Sequence, residues 1–224
     1  MALLRRLLFA AVAATGAAAI ARPRLQQWGS TPADRARPML LDDEIPRPTV
    51  VTNRAIGIAA PPELVWPWLA QVGDLPRGGY YSFVSIERML GMKVENATRI
   101  MPEHQSVAAG DVLDGKGTMT VRGVTPGECL VLGPRRDAGL DFDSTWALGV
   151  YPDGDGGTRF VSRVHARYFR WTPMTVAAFL ILEWGQFLME WKMLREVKRL
   201  AEQLAWERGL ELPEEEPEAV GHPG

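Results

Sequence analysis

Two long β-rich runs, Asp143 to Tyr151 and Thr158 to Phe169, are separated only by Pro152-Asp153-Gly154-Asp155-Gly156-Gly157. A short connection this rich in glycine, proline and aspartate forces the flanking runs to return on one another as a hairpin. Each run alternates. Trp146, Leu148 and Val150 fall on one face of the first, and Phe160, Ser162, Val164 and Ala166 share a face of the second. Arg159, Arg163, His165 and Arg167 take the opposite face, which reads as solvated. A sheet that is apolar on one side must bury that side against another layer.

The remaining runs supply the sheet and the layer. Val107 to Leu113, Gly117 to Val124 and Glu128 to Gly133 read as further strands, and Val50 to Ala59 as the first. The first strand ends at Ala60-Pro61-Pro62-Glu63. Proline suits an opening helical turn, where its missing N–H would have no partner, and Glu63 sits near the positive end of the helix dipole. Val65, Trp66, Leu69 and Val72 then recur at helical spacing, with Pro67 predicting a short, bent helix. Ser82 is positioned to cap a second short helix, Phe83 to Leu90, closed by Gly91. A long helix from about Gln186 to Glu207 carries Phe187, Trp191, Leu194, Val197, Ala201 and Leu204 on one face. Glu190, Arg195, Lys198, Arg199 and Glu202 read as its polar faces. Strand, two short helices, several antiparallel strands and a long final helix make an α+β layer architecture.

Of the 224 residues, 49–208 read as one domain. Residues 1–21 open with Arg5 and Arg6, continue as an uncharged run from Leu7 to Ala21, and end at Arg22-Pro23-Arg24. This fits a signal peptide or a membrane anchor, and makes a membrane-associated or exported protein the expectation, with a cytoplasmic protein as the alternative. Residues 22–48 carry five prolines and many charges and read as a linker lying on or beside the domain. The tail from 209 to 224 is acidic, proline-bearing and expected to be disordered.

Several motifs come close to known chemistry and fail at the residue that matters. Gly110 to Thr118 (GDVLDGKGT) nearly spells a phosphate-binding loop, but Gly117 stands where a magnesium-binding hydroxyl is needed and a strand follows. Asp153 to Gly157 hints at a calcium loop, but Val164 occupies the position of the closing glutamate. His104, His165 and His222 have no neighbours at metal-ligand spacing, and Cys129 is the single cysteine, so neither a metal nor a disulfide is expected. No nucleophile elbow is present. A net charge of −2 gives no pull toward nucleic acid.

The order of elements, and the segment Ile58 to Gly73 (IAAPPELVWPWLAQVG) above all, resembles the SRPBCC superfamily, the START and polyketide-cyclase-like group. The segments QQWGST, RGGYYSF, MPEHQSVAAGD, GTRFVSRV and FLMEWKMLREVKRLAE resemble an uncharacterised bacterial branch of it. The resemblance implies a helix-grip fold: a curved antiparallel β-sheet wrapped around a long C-terminal helix, with two short helices after the first strand and a cavity between. The alternation of the strands gives that cavity a lining. Met119 and Val121 oppose Thr118, Thr120 and Arg122, and they join Trp146, Leu148, Phe160 and Val164, with Ser162 the only polar member. Trp191 of the long helix completes the set. Tyr81, which follows Gly78-Gly79-Tyr80, reads either as a packed corner or as a cavity mouth.

Such a lining holds a ligand by burial but offers no acid or base. The expected function is therefore binding or transport of a small hydrophobic ligand, lipid-like or polycyclic, near a membrane, with no cofactor. Two alternatives stand beside it: a polyketide cyclase or aromatase-like enzyme, and an interaction domain with a vestigial cavity.

Overall fold

The structure, a computed structural model, describes residues 21–140, 142–168 and 173–210; the side chains of 155 and 173–182 lie outside that description. So do residues 1–20, within the segment expected as a signal peptide or anchor, the acidic tail from 211, and all the side chains of the apolar run Trp171 to Leu182.

Five strands form one antiparallel sheet: β1 (Val50–Ile58), β2 (Met119–Thr125), β3 (Cys129–Pro134), β4 (Phe142–Asp153) and β5 (Gly157–Tyr168), in the spatial order β1-β5-β4-β3-β2. The hairpin β4–β5 is the longest ladder, pairing Phe142 with Tyr168 at one end and Asp153 with Gly157 at the other. β1 returns to lie antiparallel on β5, pairing Val50 with Ala166 and Ile58 with Thr158. The segment Val107–Leu113, expected as a strand, makes only an isolated bridge between Val112 and Thr120. The carboxylate of Asp114 accepts from the amides of Thr118 and Met119, and Gly117 takes φ +71°, so the near phosphate loop is a tight hairpin turn.

Short helix α1 (Pro32–Ala36) precedes the sheet, and α2 (Pro62–Ala70) and α3 (Val84–Met89) follow β1. Pro61 is the N-cap of α2 and Pro62 its first residue. Pro67 does not break the helix, because the carbonyl it deprives belongs to Glu63, an exposed residue. The cap of α3 is Phe83 rather than Ser82, whose buried hydroxyl has no partner. The long helix α4 (Pro173–Glu207) lies across the inner face of the sheet. This is a helix-grip arrangement. Among the described residues, no helix is long and apolar enough to cross a membrane.

The helical stripe that α4 buries runs Glu190, Met193, Leu194, Val197, Leu200, Ala201, Ala205. That corrects the expected phase: Trp191 is only half-buried, with the Arg195 guanidinium 5.3 Å from its ring centre, and Glu190 takes the interior position instead. The stripe packs on Ile56, Ile58, Leu130, Leu132, Leu148, Val150 and Phe160 of the sheet and on Leu64, Val65, Trp68 and Leu69 of α2.

The outer face is not solvated. Residues 32–47, within the stretch expected as a linker, cover it. Arg163, the centre of the arginine stripe, is buried; its guanidinium donates to Asn53 Oδ1, to Asp42 Oδ2 and to the carbonyls of Asp34, Arg35 and Arg37. Arg159 pairs with Asp34 at 2.7 Å and Arg122 with Glu44 at 3.1 Å. His165 Nδ1 lies 3.1 Å from the carbonyl of Asp42. Beneath these pairs Met39 packs with Ala55, Val131, Ala147, Tyr151 and Val161 in a second small core. Guanidinium groups lose their water here only because carboxylates and backbone carbonyls replace it.

Candidate functional site

The inner face of the sheet reads as rows of paired residues, one from each strand. The middle row is Leu130, Leu148, Ser162, Arg54, and the row beside it toward the N-terminal end of α4 is Val121, Leu132, Trp146, Val164, Thr52. On the other side come Val150, Phe160 and Ile56. The expected lining residues Val121, Trp146, Leu148, Phe160, Ser162 and Val164 therefore all lie on this face. Met119, paired with Pro134 on the edge of the sheet, is half-buried against the core.

They divide into two environments. Leu148 and Phe160 are fully buried in close contact with the α4 stripe, and that end of the interior is filled by side chains. Around Ser162 the interior is charged. Arg54, at 1% exposure, points inward from β1, and its Nη1 meets Glu190 Oε2 of α4, at 3% exposure, at 2.5 Å. Ser162 Oγ donates to the same carboxylate oxygen at 3.2 Å and accepts from Trp146 Nε1 at 2.9 Å. Gln186 Nε2, one turn earlier on α4, donates to Glu190 Oε1 at 2.9 Å. Arg54 Nε donates to the carbonyl of Leu25 at 3.0 Å, and its guanidinium carbon stands 5.4 Å from the ring centre of Phe187. In the next row the Thr52 hydroxyl is buried and bonds to nothing.

Ser162 is thus not the only polar member of the interior, and an acid does lie inside. The pattern had placed Glu190 on a polar face of the helix, although it stands four residues before Leu194 and seven before Val197, in register with the buried stripe. Each charge is tolerable in this low-dielectric setting only because the other is there. The carboxylate accepts from Arg54, Ser162 and Gln186, so its lone pairs are already engaged by the protein.

Tyr81 belongs elsewhere. It sits fully buried at the corner between α2 and α3, with φ +57°, its hydroxyl accepting from Gln71 Nε2 at 2.8 Å and its ring edge-on to Trp68. Burial pushes its phenol above the ordinary range. Of the two readings left open for it, the packed corner is the one found. Nearby, Glu87 of α3 is fully buried with both carboxylate oxygens lacking a partner, and one oxygen of Asp74 is likewise bare. Burial, and then the charge of Asp74, pushes the Glu87 carboxyl up to about 7. Burial also raises the thiol of Cys129 to about 11, which leaves it an inert core group.

Among the described residues, two cavities border α4. One, of about 10 Å³, is enclosed by Arg22, Leu25, Gln26, Arg54, Glu183 and Trp184 and is the size of a single water. The other, of about 360 Å³, is an open groove between Ile56 and the charged side of α4, where Lys192, Lys198 and Arg199 already pair with Glu196 and Glu202. Among the described residues, no cluster of His, Cys, Asp or Glu could hold a metal ion.

No protein-family model matches the chain, and no curated protein does. Solved structures do resemble it. The Zhui aromatase/cyclase from Streptomyces sp. R1128 is 15% identical over 72% of this chain and 99% of its own, with a TM-score of 0.43. Protein MLL2253 from Mesorhizobium loti is 20% identical over 69% of this chain and 98% of its own, with a TM-score of 0.36. PFC0360w, an HSP90 activator from Plasmodium falciparum, is 13% identical over 62% of this chain and 89% of its own, with a TM-score of 0.33. Likeness at this level says nothing of ligand or reaction.

Proposed function

We propose that this protein binds a small hydrophobic ligand carrying a polar head, between the sheet and the N-terminal half of α4, close to a membrane. The observation that carries this reading is the polar group Thr52, Arg54, Ser162, Glu190 set into an otherwise apolar interior, with one hydroxyl unsatisfied and Trp146 half-buried beside it. An apolar pocket with a few convergent polar groups is how small-ligand sites are usually built. Each methylene of a lipid-like ligand buried there would contribute about 0.8 kcal/mol before the costs of ordering it. The uncharged run from Leu7 to Ala21 supports the membrane setting.

A second reading, catalysis of the polyketide aromatase or cyclase kind, gains from a single observation, the interior carboxylate of Glu190. Its three donors argue that it orients rather than reacts. Native mass spectrometry of the full chain, extracted from membranes of its own host, tests the proposal. A bound mass that Trp146→Ala and Thr52→Val both weaken is expected. A wild-type protein that arrives without any bound mass, and takes up none from host lipid extract, overturns it in favour of an interaction domain with a vestigial cavity.

A further inference from the structure

Where the side chains of α4 are first described, from residue 183 onward, a face stands uncovered. Trp184 and Leu188, one turn apart, are each 42% exposed, an unusual cost for two large apolar side chains on a single stripe. Helical residues 21–26 lie against this place. Arg22 Nε bonds both carboxylate oxygens of Glu183 at 3.0 Å, Gln26 Nε2 bonds one of them at 2.6 Å, and the one-water cavity between Leu25, Arg54 and Trp184 marks the contact. The ion pair fixes the place of Arg22, to which the preceding chain is joined in sequence. That chain is the uncharged run Leu7 to Ala21, and the first ten residues of α4, Pro173 to Leu182, are also uncharged. In sequence, each of these uncharged stretches adjoins the segment that carries Arg22 or the bare Trp184 and Leu188. Beside them come Arg22 and the exposed Arg24.

We infer that this face docks on the interfacial region of an anionic phospholipid bilayer, with Trp184 and Leu188 among the acyl chains and Arg22 and Arg24 at phosphate level. Tryptophan favours that depth because its ring is apolar and its N–H still reaches water. Arginine stems lie along apolar surface while the guanidinium contacts phosphate, and anionic headgroups strengthen that contact. The inference rests on the membrane part of the proposed function and adds what that part lacks: the domain itself, and not only its leading segment, touches lipid. It also sets the Arg54–Glu190 pair just behind the docking face, since Leu25 holds Arg54 from the same helical segment.

The test uses the full chain in vesicles of phosphatidylcholine and phosphatidylglycerol with brominated acyl chains. Leu188→Cys and, as a control on the far half of the helix, Arg199→Cys are each labelled with an environment-sensitive fluorophore; the native Cys129 is buried. Emission from position 188 should shift to the blue and be quenched by bromine, while emission from 199 should do neither, and replacing Trp184 with Glu should reduce the shift at 188. If the protein floats with the vesicles but the label at 188 stays unquenched, the docking face is wrong while anchoring through the first residues stands. If the protein does not float at all, both are wrong.

Discussion

The two halves of the interior beneath α4 are built from the same strands and follow opposite rules. In the half that meets α2, Ile58, Val150, Phe160, Val197 and Ala201 interlock without a charged side chain among them, and the one inward hydroxyl of that row, Thr158, is satisfied by the carbonyl of Ala60. In the half toward residue 183, the same strands contribute Thr52, Arg54, Ser162 and Trp146, and the helix contributes Glu190. The difference teaches where to look for function in such a fold. The first half is what holds the molecule together. The second carries charges that stability alone does not require, since apolar residues of similar volume commonly serve as well or better.

The sharpest way to break the comparison is to remove one partner of the buried pair. Arg54→Ala or Glu190→Ala leaves an uncompensated interior charge and should cost about 3–5 kcal/mol. The paired replacement Arg54→Met with Glu190→Leu should recover most of that stability in urea denaturation while abolishing ligand retention. A double replacement as unstable as the single ones would mean that the pair is structural.

The filled half should respond by cavity rules. Leu148→Ala and Leu194→Ala should each cost about 2–5 kcal/mol. Trp191→Ala, at a half-buried position stacked with Arg195, should cost clearly less than Leu194→Ala in the same denaturation series. Equal losses would restore the helical phase first read from the sequence.

Away from both halves, Glu87 supplies a pH dependence. Its carboxyl is raised from the usual 4.5 to about 7, so the folded state keeps a proton that the unfolded chain releases. The stability this group contributes is complete below pH 4.5 and is lost as pH rises through about 7, at up to about 1.4 kcal/mol per unit. Glu87→Gln should therefore change little in relative stability below pH 4.5 and come out ahead of the wild type above pH 7. A difference between the two that does not vary with pH contradicts the raised value. The smallest effect belongs to the exposed pair Arg135–Asp137, where Arg135→Ala should move the denaturation midpoint by no more than about 0.5 kcal/mol in energy terms.

The sheet was readable because alternation and turn chemistry are local. The β4–β5 hairpin begins and ends within two residues of its expected runs, and the inward set Trp146, Leu148, Phe160, Ser162, Val164 follows from period two. Arg54 was not readable. Along β1 the inward residues are Val50, Thr52, Arg54, Ile56 and Ile58, and an arginine among them makes sense only with its acid, 136 positions away on α4. Glu190 escaped for the matching reason: charge outweighed its spacing. The covering of the outer face left a signal that local reading missed. Arginines stand at every fourth position of β5 and at Arg122 of β2, and Asp34, Asp42 and Glu44 lie in the proline-rich stretch before β1. Complementary charge joins them, but a sequence states no distance.

The central claim, that ligand enters the charged half and not the filled one, is tested most directly by photolabelling. The full chain is equilibrated with a long-chain alcohol bearing a diazirine, irradiated, and mapped by peptide mass spectrometry. Label on the segments 50–54, 144–146 and 162–166, with none on 56–58, 158–160 or 197–205, is the expected result. Label confined to the outer surface, or spread evenly over both halves of the interior, would contradict it.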